Sequence, residues 1–398
     1  MAILLTSKQL EKKKITRKNT FAPAPGRRHA LKKRLLAILV SSLILLSLFS
    51  ILLTSAQILR PQVLTCGEFL RTANYPQAVH LQVAKQEMAA VQLVDNLAGT
   101  SQVALVQVTN LADSHALDVY VFGCIIRRRQ FWLTRLFTRQ GLAQGTVEVT
   151  SRHTLITTAL DTQLPVSQFP FLQPQQQNVY CEYAWQQHSF AQIPFPGFYP
   201  VTSRAEADVL QQSADSGQYL PWGDAATTAL QMSKDLLHWS STLRAQTLSR
   251  TADTVVVALT REKPHVTLVV TLKQLPGHHR AALWFVTDAR TRGILLTATR
   301  MLDRPPAIAQ RSPIHLLGAS ALIDGKTTAT LFDHTLTPIH RATDVSLHVH
   351  QDSRYTGTLT YTNLASGQQG ALLIESMPRA RNATRETGQL LLCAVILV

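Results

Sequence analysis

The longest apolar run in the chain is Leu35 to Leu59, 25 residues with no charge and no proline. Its only polar side chains are Ser, Thr and one Gln. Such a run crosses a hydrocarbon core of about 30 Å with some tilt, so it predicts a transmembrane helix over 35–59. Beyond it the pattern becomes short and alternating. Val79, Leu81 and Val83 alternate with His80 and Gln82, and Val103 to Val108 and Leu117 to Phe122 are β-rich runs bounded by Asn110, Asp113 and Gly123. Thr146 to Val149 and Leu155 to Leu160 read the same way. Together they predict a β-rich domain over 61–163. Within it, Trp132, Leu133, Leu136 and Phe137 could share one helical face, so Phe131 to Gln140 reads as a short amphipathic helix stopped by Gly141.

Residues 164–200 break this pattern. Leu164 to Asn178 is rich in Pro and Gln, and Gln192 to Pro200 is rich in Pro and aromatic residues, which reads as a linker. Over 201–302 the period lengthens. Ser203 and Glu206 have capping-box spacing, and Asp224 can cap a second helix. The stripe Ala229, Met232, Leu236, Trp239, Leu243 puts all five on one helical face, which needs a sheet to cover. Thr254 to Thr260, His265 to Leu272 and Ala281 to Thr287 supply that sheet, giving a small α+β domain. After Asp303-Arg304-Pro305-Pro306, six short turn-bounded runs over 308–398 read as an antiparallel β-sandwich. They are Ser312 to Ser320, Lys326 to Phe332, Val345 to His350, Gly357 to Tyr361, Ala371 to Glu375 and Leu390 to Val398. The fold class is therefore mainly β with some α, behind one N-terminal transmembrane helix.

Charge gives this arrangement a direction. The chain carries a formal +15, which would fit a nucleic-acid binder, but residues 1–34 alone hold eleven Lys and Arg against a single acid, Glu11. A basic block beside an apolar run is the mark of membrane topology, so no nucleic-acid partner is expected. Lys32, Lys33 and Arg34 flank one end of the run and only Arg60 the other. The tail 1–34 is thus cytoplasmic, and the bulk of the chain faces outward across a cell membrane crossed once. A signal peptide cleaved near Thr54-Ser55-Ala56 is the competing reading. A leading segment of 34 residues and the long apolar core favour an uncleaved signal-anchor.

Cys66, Cys124, Cys181 and Cys393 all lie beyond the apolar run. None forms a CxxC motif, and an extracytoplasmic location permits disulfides. Four cysteines allow three pairings, and spacing does not choose among them. Cys393 sits within the apolar Leu390 to Val398 and reads as a buried small hydrophobe.

The segment 308–398 resembles the immunoglobulin-like domain of bacterial spore-germination and envelope proteins. The residues that carry the resemblance are Ser312-Pro313 opening a strand, Gly318 followed by small residues, Asp324-Gly325, Asp333, and Gly357 leading into Leu359 and Tyr361, with an apolar run ending at Glu375-Ser376. Pro378 to Thr387 departs from the family's brief acidic turn, being a longer loop with Arg379, Arg381 and Arg385. The segment before it also looks like the helix-plus-strand region preceding this module in some Gram-positive-type surface proteins. The resemblance implies an immunoglobulin-like spacer, adhesion or assembly module without catalytic residues, and a sporulation-linked or other cell-envelope role.

Motifs with a chemical mechanism are absent: HExxH, GxSxG, GxxxxGK[ST] and GxGxxG do not occur. His348 and His350 would share one face of a strand, with His340, Asp344 or Asp352 as a third metal ligand, but solvated strand histidines are the ordinary case. His278-His279 sits in a turn, Arg127-Arg128-Arg129 reads as a solvated turn rather than an anion or lipid-headgroup patch, and Trp222 stands in a loop. No catalytic, cofactor-binding or metal residues are assigned and no cofactor is expected. The sequence reads as an anchored, non-enzymatic binding or scaffold protein of the bacterial cell envelope. Its partners are the lipid bilayer through Leu35 to Leu59 and an envelope protein or polymer. The alternative is an envelope hydrolase with its site in the middle domain.

Overall fold

Twenty strands and four α-helices make the described part of the protein mainly β. The computed structural model describes residues 65–398, apart from 100, 113–114, 165–171, 173, 240–242, 263–264, 278–281, 297–307, 311, 321–325, 340–344, 350–353, 363, 378–387 and 398. The Leu35 to Leu59 run lies outside these residues. Among the described residues no helix is long and apolar enough to cross a membrane.

Two sheets open the fold. β1 (Gln86–Ala98), β2 (Ser101–Asn110), β3 (Ala116–Arg127) and β4 (Gln130–Leu142) form one antiparallel sheet in that order. β5 (Thr146–Val149), β6 (Leu155–Leu160), β7 (Asn178–Gln186) and β8 (Ser189–Ile193) form the second. Val103, Leu105, Val119 and Val121 pack against Leu155, Val179, Cys181 and Tyr183 between them. The alternate residues Ala104, Val106, Tyr120 and Phe122 point the other way, toward Leu70 of α1 (Cys66–Thr72) and Tyr75 of α2 (Tyr75–Ala78). Strands β2 and β3 are therefore buried on both faces, which is why their sequences run apolar without alternation. The Thr65 side chain and Glu68 close a complete capping box on α1.

Three sequence expectations change here. Phe131 to Gln140 is not a helix but most of strand β4. Val121 pairs with Phe137 and Phe122 with Arg135, which leaves Leu136 as a bulge. That extra residue turns a spacing of two into a spacing of three and so imitates a helical stripe. The bulged Leu136 lies over Gly123, where a Cβ would come within 2.9 Å of its Cδ1. The second change is at Val79 to Val83, which caps α2 and forms a turn instead of a strand. The third is in the stretch read as a linker: Asn178 to Ile193 supplies β7 and β8, with Val179, Cys181 and Tyr183 turned into the core. The Gln175-Gln176-Gln177 run forms a 3-10 turn, Pro174–Gln177.

The rest of the chain builds one large sheet. Its strands are β9 (Leu243–Arg250), β10 (Thr254–Arg261), β11 (Val266–Gln274), β12 (Trp284–Arg290), β13 (Ile294–Leu296), β14 (Ile308–Gln310), β15 (Ile314–Ser320), β16 (Lys326–Phe332), β17 (Val345–Val349), β18 (Arg354–Leu359), β19 (Gln369–Met377) and β20 (Gln389–Leu397). They run in the order β9-β10-β11-β12-β20-β19-β16-β17-β18-β15-β13, and β14 joins β20 in parallel. The predicted strands over 254–287 and 312–398 coincide with β10–β12 and β15–β20. The middle and C-terminal segments share this sheet, because Ala289 pairs with Leu392 and Arg290 with Leu391.

Helices α3 (Arg204–Asp215) and α4 (Ala225–Leu237) are capped by Ser203 and Asp224, as their spacing predicts. Ala229, Met232, Leu236 and Trp239 bury against β10–β12 and β20. Leu243 belongs to β9, since His238 in the left-handed region ends the helix. On the opposite face, Leu316, Tyr355 and Leu359 close over Leu331, Leu372, Ile374 and Val395, so the sheet doubles back through β17 around a second core.

Candidate functional site

The most unusual chemistry lies where β6, α3 and the turn after β16 meet. His334 Nε2 is 3.1 Å from Asp161 Oδ2, and both side chains are almost fully buried. The Asp333 carboxylate builds the turn that presents the histidine, accepting from the backbone N–H groups of Thr335 and Thr337 at 2.8 and 3.0 Å. Gln368 Oε1 accepts from His334 N, and Thr202 Oγ1 donates to His334 O at 3.1 Å. Nδ1 of His334 is buried without a hydrogen-bond partner.

Glu206, in the first turn of α3, is the third member. It is 5% exposed. The Ser203 hydroxyl donates to its Oε2 at 2.7 Å and accepts from its N–H at 3.2 Å. Burial pushes its carboxyl up to about 7, against the opposing pull of Ser203 and of His334. For His334, burial favours the neutral ring, but the hydrogen bond with Asp161 and the charges of Asp333, Glu206 and Asp161 outweigh it and hold the pKa above the usual histidine value.

Ser203, His334 and Asp161 are residue types of a nucleophilic triad, but the hydroxyl is bonded to Glu206 and not to the imidazole. The arrangement joins three segments of the chain through buried polar contacts. Further buried bonds tie the same junction. Gln369 donates to the carbonyls of Phe195 and Gly197 and accepts from Phe195 N. Gly367 O accepts from Gln192 Nε2 at 2.6 Å and from Cys181 Sγ at 3.3 Å. At φ +84° Gly367 sits in the left-handed region, with Cys181 Sγ 3.0 Å from where a Cβ would stand, so a larger residue is excluded there. A small cleft of about 20 Å³ beside the junction is lined by Tyr180, Glu182, Thr202 and Ser203. Glu182 and Asp208 of α3 both hold Arg152.

A wider, shallow cleft of about 390 Å³ opens in the middle region between the α3 end and β11–β12, lined by Tyr219, Leu220, Arg250, Gln274 and Trp284. The Arg250 guanidinium lies 5.7 Å from the Trp284 ring centre. Trp222 does not line this cleft; it packs against the cores around α3 and α4.

Two of the four cysteines pair. Cys66 and Cys124 form a disulfide with Cα atoms 5.6 Å apart, while Cys181 and Cys393 are free. His348 lies in β17, and His350, His340, Asp344, Asp352 and His278-His279 fall outside the described residues. Among the described residues no group of three or more His, Cys, Asp or Glu could hold a metal ion. Asp161, Glu206 and His334 carry no local signature in the sequence. Glu206 is legible as a capping residue, but the Asp161–His334 contact beside it spans 173 positions. Compared with known protein families and with characterised proteins, the chain matches none.

Proposed function

We propose that this is a single-pass, membrane-anchored binding or scaffold protein whose folded bulk lies outside the cytoplasm of a bacterial cell. The observation that carries this reading is the Cys66–Cys124 disulfide. It closes only seven residues beyond the apolar run that ends at Leu59 and ties that point of the chain to the central strand β3. Disulfides persist in oxidising compartments, so the bond and the basic tail 1–34 independently favour the same orientation. The doubled sheet over 314–397 is consistent with the immunoglobulin-like resemblance and with a spacer or assembly role in the envelope. The buried polar junction at Asp161, Glu206 and His334 fits the same role, since it fixes the segments as one body.

The test is topological. A reporter active only outside the cytoplasm, fused after Val398, is expected to be active. Cys66 and Cys124 of intact, wall-stripped cells are expected to react with an impermeant maleimide only after reduction. A C-terminal fusion active only in the cytoplasm overturns the proposal.

A further inference from the structure

The β3–β4 hairpin overhangs its sheet. β3 pairs with β2 only as far as Gly123, opposite Val103; from Cys124 to Arg127 it pairs with β4 alone. The resulting two-stranded ribbon ends in Arg127, Arg128 and Arg129, all exposed, with Arg128 and Arg129 as the two turn residues at φ 51° and 65°. Two large apolar side chains flank them in the open: Ile126 is 63% exposed and Trp132 53%. From Cys124 to Leu133 the ribbon contains no acid. Three cations at the tip, with an exposed indole on one face of the ribbon and an exposed aliphatic side chain on the other, form the composition of a bilayer interface, where ring and stem sit at headgroup level and cations meet phosphate.

The ribbon is also tied to a residue only seven positions in sequence after Leu59, the end of the apolar run. Cys124, at its root, is bonded to Cys66, and Phe131 stacks on Phe69 of α1 with ring centres 5.6 Å apart. Between Leu59 and Cys66 the chain can span no more than about 25 Å when fully extended. Glu68, the nearby acid on α1, is engaged in the capping box with Thr65.

We infer that the β3–β4 hairpin tip is a membrane-docking element: Arg127, Arg128 and Arg129 bind anionic phospholipid headgroups of the bilayer from which the chain emerges, while Trp132 and Ile126 enter its interface. This rests on the anchored reading above. Docking would hold the folded unit against the surface instead of leaving it free on its tether.

The full chain in phosphatidylcholine vesicles, with and without phosphatidylglycerol, tests it. Retention of the protein through an alkaline wash reports the anchor. The Trp132 signal is the fluorescence difference between wild type and Trp132→Phe, and its quenching by headgroup-labelled nitroxide lipid reports docking. Quenching is expected with phosphatidylglycerol, lost at high salt, and lost in the Arg127→Gln/Arg128→Gln/Arg129→Gln variant. That variant changes only exposed positions and is expected to keep its melting temperature. Protein retained in the vesicles with Trp132 unquenched in phosphatidylglycerol, or quenched equally in the triple variant, overturns the docking inference and leaves the anchor standing. Protein stripped by the wash overturns the anchor and the inference with it.

Discussion

Leu372 and Leu373 are consecutive in β19, yet they pack into different hydrophobic cores. Leu372 joins Tyr355 and Leu359 inside the doubled sheet, while Leu373 faces the core beneath α4. Phe332, Ala371, Leu390, Leu392 and Ala394 face the same way as Leu373. A fragment of residues 308–398 would strip these six side chains of their cover. It is expected to give no single cooperative melt alone, whereas residues 65–398, the whole compact unit, melt cooperatively by circular dichroism. A sharp, β-type transition from the shorter fragment would show that the sandwich stands without its neighbour.

The helix stripe offers a second test. Leu236 is 3% exposed within the core that Met232, Trp239 and strands β10–β12 build. Leu236→Ala is expected to cost about 2–5 kcal/mol in chemical denaturation, the range for truncating a buried leucine. A loss below about 0.5 kcal/mol, typical of surface positions, would mean that the helix does not pack there.

The buried junction makes stability depend on pH. Glu206 and His334 both have folded-state pKa values raised above their ordinary ones, so the folded protein holds their protons more tightly than the unfolded chain does. The Glu206 contribution is complete below pH 4.5 and is lost as pH rises to about 7; the His334 contribution is complete below pH 6.5 and is lost above it. Thermal stability is therefore expected to fall from pH 5 toward pH 8. Glu206→Gln keeps the shape of the protonated acid. Relative to wild type it is expected to gain on the order of 2–4 kcal/mol between those two conditions. Parallel pH profiles for the two proteins would remove Glu206 from this account.

Periodicity made much of this fold legible, and its failures have physical causes. The caps at Ser203 and Asp224 and the strands of β10–β12 and β15–β20 are local patterns, and local patterns survive in sequence. A bulge at Leu136 shifted the β4 alternation into helical spacing, and the composition of one turn at Pro174–Gln177 masked the strands that follow it. Nothing in the sequence joins Asp161 to His334 or Cys66 to Cys124. Those pairings are made by sheets meeting in space, so the candidate site became visible only with the fold.

The Cys66–Cys124 bond also decides where mechanical load would travel. Tension applied to the chain before Cys66 crosses the two sulfurs directly into β3, bypassing the intervening helices and strands β1 and β2. The enclosed segment, with a sequence separation of 58, corresponds to about 200 Å of fully extended chain that cannot pay out while the bond holds. A pull from that side therefore meets a central strand buried on both faces, rather than a terminal helix that could be peeled away.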